Sequence, residues 1–145
     1  MKRLLVMAVQ ALALVAAVAH ADDSLSARTP TQVVEHHIAA MLSHDANALA
    51  ADYADDAVMI LSANVVSGRQ QVQRFFSSAA ARRQPGDDNA KFKVARVDGD
   101  VVIEEWSHKT PDGSTVSGAD VLVVRHGMIV FHCSLPAAAP TKPQP

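Results

Sequence analysis

The strongest constraint on this chain's fold lies in its C-terminal half, where three turn signals separate four extended segments. Asp98-Gly99-Asp100, Pro111-Asp112-Gly113 and His126-Gly127 fall between residues 91–97, 101–109, 115–125 and 128–134. Gly, Pro and Asp supply the backbone conformations that tight turns require. Strands joined so closely pair antiparallel, so the spacing predicts a four-stranded meander. Helical patterning precedes it. After Thr29-Pro30-Thr31, the residues Val33, Val34, His37, Ile38, Met41 and Leu42 recur at helical spacing, which predicts a helix over 31–44. Asp45 is placed to cap a second short helix that runs to about Tyr53. Residues 57–61 and 65–66 read as short strands. A third helix over 69–82 follows Ser67-Gly68 and carries Val72, Phe75, Phe76 and Ala79 on one face; 84–89 reads as a polar loop. Helices gathered on one face of a curved antiparallel sheet make an α+β fold.

The N-terminus has a different character. Met1-Lys2-Arg3 precedes an apolar run over 4–19, and Ala19-His20-Ala21 supplies an A-x-A cleavage site before Asp22-Asp23. The expectation is a secretory signal peptide over 1–21 and a periplasmic or secreted mature chain starting at Asp22, which the intact mass of exported protein would read. The apolar run contains Gln10 and is shorter than the ~20 residues a spanning helix needs, so no stable membrane anchor is expected. Residues 22–30 read as a flexible lead, 31–135 as one domain, and 136–145 as a disordered Pro/Ala tail.

Loss of Lys2 and Arg3 with the signal takes the net charge from −2 to −4. Nucleic-acid binding needs clustered Lys and Arg, and Arg82-Arg83 is the only basic cluster, so no nucleic-acid partner is expected. Cys133 is the sole cysteine and cannot form an internal disulfide; its apolar neighbours favour burial. No H-E-x-x-H pattern is present, and neither a metal site nor a cofactor is expected.

The order of these pieces resembles the nuclear transport factor 2-like superfamily, and within it the SnoaL-like and ketosteroid isomerase-like proteins. The resemblance spans about residues 31–135. It is carried by Val33-Val34-Glu35-His36-His37-Ile38-Ala39-Ala40, by Tyr53-Ala54-Asp55-Asp56-Ala57-Val58, by Ser67-Gly68-Arg69-Gln70-Gln71-Val72 ahead of Phe75-Phe76, and by residues 120–129. It implies a cone-shaped curved sheet wrapped around the N-terminal helices, enclosing a mostly apolar pocket, with homodimers formed through the outer sheet face. Ketosteroid isomerases use a base aspartate, a donor from the first helix and a neutral acid on a late strand. Those positions fall on Leu61, His37 and Asp120. Leu61 cannot take a proton, a neutral His37 can donate one hydrogen bond, and Asp120 is retained.

Read from the residues, Asp120 shares a strand face with Leu122 and Val124, where desolvation should raise its pKa. His37 shares a helix face with Val33, Val34 and Met41, while His36 points to solvent. Simple alternation puts His132 with Val130 and Ser134, opposite Ile129, Phe131 and Cys133. If both face inward, Asp120 and His132 form an acid/base pair on adjacent strands. Trp106 shares a face with Glu104 and His108 and lines either the pocket or a dimer contact. Tyr53 lines the pocket or packs beside it. The candidate catalytic residues are therefore Asp120, His37 and His132, with Tyr53, Leu61, Trp106, Leu122 and Val124 around the ligand. The expected function is binding of a small, largely apolar molecule or proton transfer on it, of isomerase, cyclase or hydratase type. The alternative is a non-catalytic dimeric module for ligand binding or protein interaction.

Overall fold

The computed structural model describes residues 26–82 and 89–137. The expected signal peptide, all but the last residue of the expected polar loop over 84–89, and all but the first two residues of the expected tail over 136–145 lie outside the described residues. Among the described residues three helices, α1 (Pro30–Ser43), α2 (Ala46–Ala51) and α3 (Arg69–Ala81), accompany six strands. These are β1 (Tyr53–Leu61), β2 (Asn64–Ser67), β3 (Lys91–Asp98), β4 (Val101–Lys109), β5 (Thr115–Arg125) and β6 (Met128–Pro136).

Both N-terminal helix starts follow from local chemistry. Thr29 accepts from the Gln32 amide while the Gln32 side chain accepts from the Thr29 amide, and Pro30 takes the first helical position, where no amide hydrogen is needed. Asp45 accepts from the amides of Asn47 and Ala48 and opens α2.

The four last strands form the meander the turns predict, each paired antiparallel with the next. The sheet then closes in a way that no turn signal encodes. Its order is β2-β1-β6-β5-β4-β3, and β1 runs parallel to β6. This pairing corrects the boundary of the second helix. Tyr53 opens β1, opposite Ile129, because the Ile129 amide donates to the Asp52 carbonyl at 2.7 Å and draws the chain into the sheet. Asp55 and Asp56 sit within β1 at an irregularity in its register with β6, and Asp55 pairs with Arg69 at 3.3 Å.

Asp52 is the junction of this region. Its buried carboxylate accepts from Arg28 at 2.7 Å and lies 2.7 Å from Nδ1 of His36, while Arg28 also donates to the Gly127 carbonyl. His36 is thus tied to Asp52 and not simply solvated.

A second irregularity matters more for function. Val124 pairs with Ile129 and Val123 with Phe131, so Val130 has no partner across β5. One extra residue in a strand inverts the alternation beyond it. Ile129 and His132 consequently both face inward, at 0% and 2% exposure. This overturns the simple alternation, which put them on opposite faces. Cys133 lands on the other side of the sheet, half-buried. The core gathers Val33 and Val34 of α1 with Met59, Val72, Val102, Leu122, Val124 and Ile129.

Candidate functional site

The inner face of the sheet carries Glu104, Trp106, Asp120 and His132. The 101–109 strand, whose inward face the sequence leaves open, turns Val102 and Glu104 inward, with Trp106 following on the same face. Glu104 stands directly opposite Asp120 on β5, and Leu122 is opposite His132 on β6. His37 reaches in from α1, 1% exposed. Together they surround a cavity of about 260 Å³ lined by His37, Glu104, Asp120 and His132 and walled by Leu61, Phe76, Phe92 and Trp106.

Hydrogen bonds link most of these groups. Asp120 accepts from the Trp106 indole N–H at 2.7 Å through Oδ1, and its Oδ2 lies 3.0 Å from Nε2 of His132. The other ring nitrogen of His132 lies 2.6 Å from the Tyr53 hydroxyl. An ionised carboxylate can only accept, so Nε2 of His132 donates to Asp120, and Nδ1 is left to pair with the Tyr53 hydroxyl. The His37 ring meets those of Tyr53 and His132 edge-on, at 5.7 and 5.6 Å between centroids.

The electrostatics differ sharply between neighbouring groups. Burial is the largest influence on Asp120 and pushes its pKa up. The hydrogen bonds and charge of His132, with the hydrogen bonds of Ser134 and Trp106, together outweigh it and hold the carboxyl below its ordinary value. The expectation of a raised Asp120 pKa is therefore wrong: apolar neighbours in sequence gave no sign of three donors arriving from other strands. Asp120 is the carboxylate of the site. Glu104 is its neutral acid. Burial, reinforced by the Asp120 charge, pushes its pKa up to about 8. Burial first, then the nearby His132, lowers His37 to about 3, so its ring is neutral. Burial pushes the Tyr53 hydroxyl well above its usual value. Two atoms in this group have no hydrogen-bond partner among the described residues: Oε2 of Glu104 and Nδ1 of His37.

The family match rests on the same stretch of chain. The SnoaL-like domain family matches residues 34–132. The chain belongs to that family. This SnoaL-like chain has the nuclear transport factor 2-like fold, seen also in solved structures. A nuclear transport factor 2-like protein of unknown function from Burkholderia xenovorans LB400 is 24% identical, with a TM-score of 0.60 over 79% of this chain and 87% of that one. A protein from Sphaerobacter thermophilus is 15% identical, with a TM-score of 0.63 over 75% and 96%. A provisionally assigned ketosteroid isomerase from Kribbella flavida DSM 17836 is 20% identical, with a TM-score of 0.60 over 78% and 81%. At these identities the likeness concerns the fold. No curated protein matches the chain.

Asp120, His37 and His132 meet in one cavity of the SnoaL-like domain, and Leu61 and Trp106 line it. Tyr53 stands behind the wall, in contact through His132. Leu122 and Val124 do not line the cavity. They are fully buried in the core beneath it, because β5 carries its inward face away from the cavity after Asp120.

Two residues of the site escape a reading of the sequence. Glu104 looked like one acid on a mixed strand; its signal was the spacing Val102-Glu104-Trp106, two large apolar residues flanking an acid on one face. Gly118 is the other. It lies opposite Trp106, and a Cβ there would sit 2.7 Å from Cε2 of the indole and 2.6 Å from the Leu135 carbonyl oxygen. The missing side chain lets Trp106 fold across β5 to reach Asp120. Gly118→Ala is expected to push the indole off Asp120 and to destabilise the protein by roughly 1–3 kcal/mol. Trp106 is the only tryptophan, so a red-shifted emission maximum reports the displacement. An unchanged spectrum would show that Gly118 does not seat the indole.

Proposed function

We propose that this SnoaL-like chain is an exported pocket protein that binds a small, largely apolar molecule and transfers a proton on it at Asp120 and His132. The observation that supports this reading is the 3.0 Å pairing of Asp120 with His132 in a cavity that also holds His37. Trp106 fixes one oxygen of Asp120, and His132, itself steadied by Tyr53, fixes the other. A carboxylate held this way accepts a proton from a bound carbon acid and returns it to another atom of the same ligand. The cycle leaves no net charge and needs no co-reactant. Leu61, at the position of the isomerase base, lines the cavity without taking part.

One observation favours a non-catalytic module. The hydrogen bonds that orient Asp120 also lower its pKa, which weakens it as a base. The two readings separate with a cyclic ketone as probe. Cyclohexanone bound from deuterated buffer should exchange its α-hydrogens in the presence of the protein, followed by NMR. Asp120→Asn should slow that exchange by roughly 10²-fold while Trp106 fluorescence still reports binding. Binding without protein-dependent exchange would favour the module.

A further inference from the structure

We infer that the cavity selects an organic cation, a protonated amine carried on a compact apolar body, and that the Glu104 carboxyl is its anchor. The inference rests on the reading of this cavity as the ligand site and adds the charge class of the ligand.

Three observations carry it. First, Glu104 is 1% exposed, lines the cavity, and has an oxygen with no partner among the described residues. A buried polar atom left unpaired is costly, and a carboxyl that borders a cavity gains a partner when a ligand donor arrives. Second, a carboxylate, Asp120, stands beside it in register across β4 and β5, with both its oxygens already engaged. Its charge attracts a cation without competing for the same hydrogen bond. Third, the remaining wall suits a cation with apolar substituents. Phe76, Phe92 and Trp106 contribute aromatic surface, and no Lys or Arg lines the cavity among the described residues. Aromatic rings beside carboxyl groups are a favourable setting for ammonium groups, whereas an anion would meet Asp120 with no Lys or Arg among the described lining residues to offset it.

The arrangement couples binding to proton release. The titratable groups that share the cavity with Glu104 are Asp120 from β5, His132 from β6, His37 from α1 and His108 from β4, with Tyr53 of β1 behind the wall. Of these, Asp120 is what adds to burial in keeping Glu104 protonated. An ammonium against the Glu104 carboxyl offsets that repulsion and favours the ionised acid, so Glu104 gives its proton to solvent as the cation binds.

Cyclohexylammonium, cyclohexanol and cyclohexanecarboxylate keep one apolar ring and change only the charge. Calorimetry at pH 7 in phosphate and in HEPES, which differ in ionisation enthalpy, measures affinity and protons released together. The ammonium is expected to bind at least about tenfold tighter than the alcohol and to release close to one proton, with no detectable binding of the carboxylate. In Glu104→Gln the preference and the proton release should both disappear, while an unchanged Trp106 emission maximum shows the cavity intact. Equal affinity for ammonium and alcohol, a preference for the carboxylate, or an enthalpy independent of buffer would overturn the cation assignment and leave the pocket standing. Silence toward all three compounds would overturn the pocket itself.

Discussion

Glu104→Gln is expected to stabilise the protein at pH 7.5 and to leave it nearly unchanged at pH 4. In the unfolded chain this carboxyl ionises near its ordinary value of 4.5; in the folded protein it holds its proton to about pH 8. Between those values the folded state binds a proton that the unfolded state has released. Stability therefore falls with rising pH, by about 1.4 kcal/mol per unit, and levels off above the folded value. Below pH 4.5 both states are protonated and the group contributes no slope. Glutamine matches the shape of the neutral acid and does not ionise. Its gain at pH 7.5 is on the order of 3 kcal/mol. Urea unfolding of both proteins at pH 4 and 7.5 measures it. A constant difference across that range would mean that Glu104 is solvated and ionised in the fold.

The opposite slope is expected from His37. An unfolded histidine takes up a proton near 6.5, whereas the buried ring resists it until about pH 3. The stability this group contributes is complete above pH 6.5 and is lost as the pH falls toward 3, by a total on the order of 4 kcal/mol. His37→Gln should remove that loss, so the variant outlasts the parent protein in acid even if it is somewhat weaker at pH 7.5. Acid titration followed by circular dichroism reads the midpoint directly. An unmoved acid midpoint would place His37 within reach of water. The two groups oppose each other over part of the range. Between about pH 4.5 and 6.5 their slopes cancel, so stability should be flat there, falling below through His37 and above through Glu104. The double variant should lose both shoulders.

The correction at Asp120 carries its own sign. With its folded pKa lowered, the carboxylate stabilises the fold above the unfolded value of 3.8 and loses that contribution in acid. Asp120→Asn should therefore weaken the fold at neutral pH, contrary to what burial among Leu122 and Val124 alone suggests.

Much of the architecture was legible because its signals are local. Asp98-Gly99-Asp100, Pro111-Asp112-Gly113 and His126-Gly127 act within a few residues, and the hairpins lie where they point. Thr29 and Asp45 announce two helices by satisfying amides two or three positions on. The periodicity that puts His37 among Val33, Val34 and Met41 is a property of one helix, and it correctly brings His37 inside. What the tertiary structure decided involves partners distant in sequence. Tyr53 joins a strand and not a helix because β6, more than seventy residues later, pairs with it in parallel. His132 turns inward because β5 has no residue to set against Val130. The contrast between Asp120 and Glu104 is of the same kind. Both are acids on inward strand faces, and only Asp120 stands out in the sequence, among Leu122 and Val124. Donors from β4 and β6 converge on Asp120 and keep it charged, while none reaches Oε2 of Glu104, which desolvation and its charged neighbour keep neutral. A carboxyl's charge is set by the few ångströms around it, and those are filled only when the strands have met.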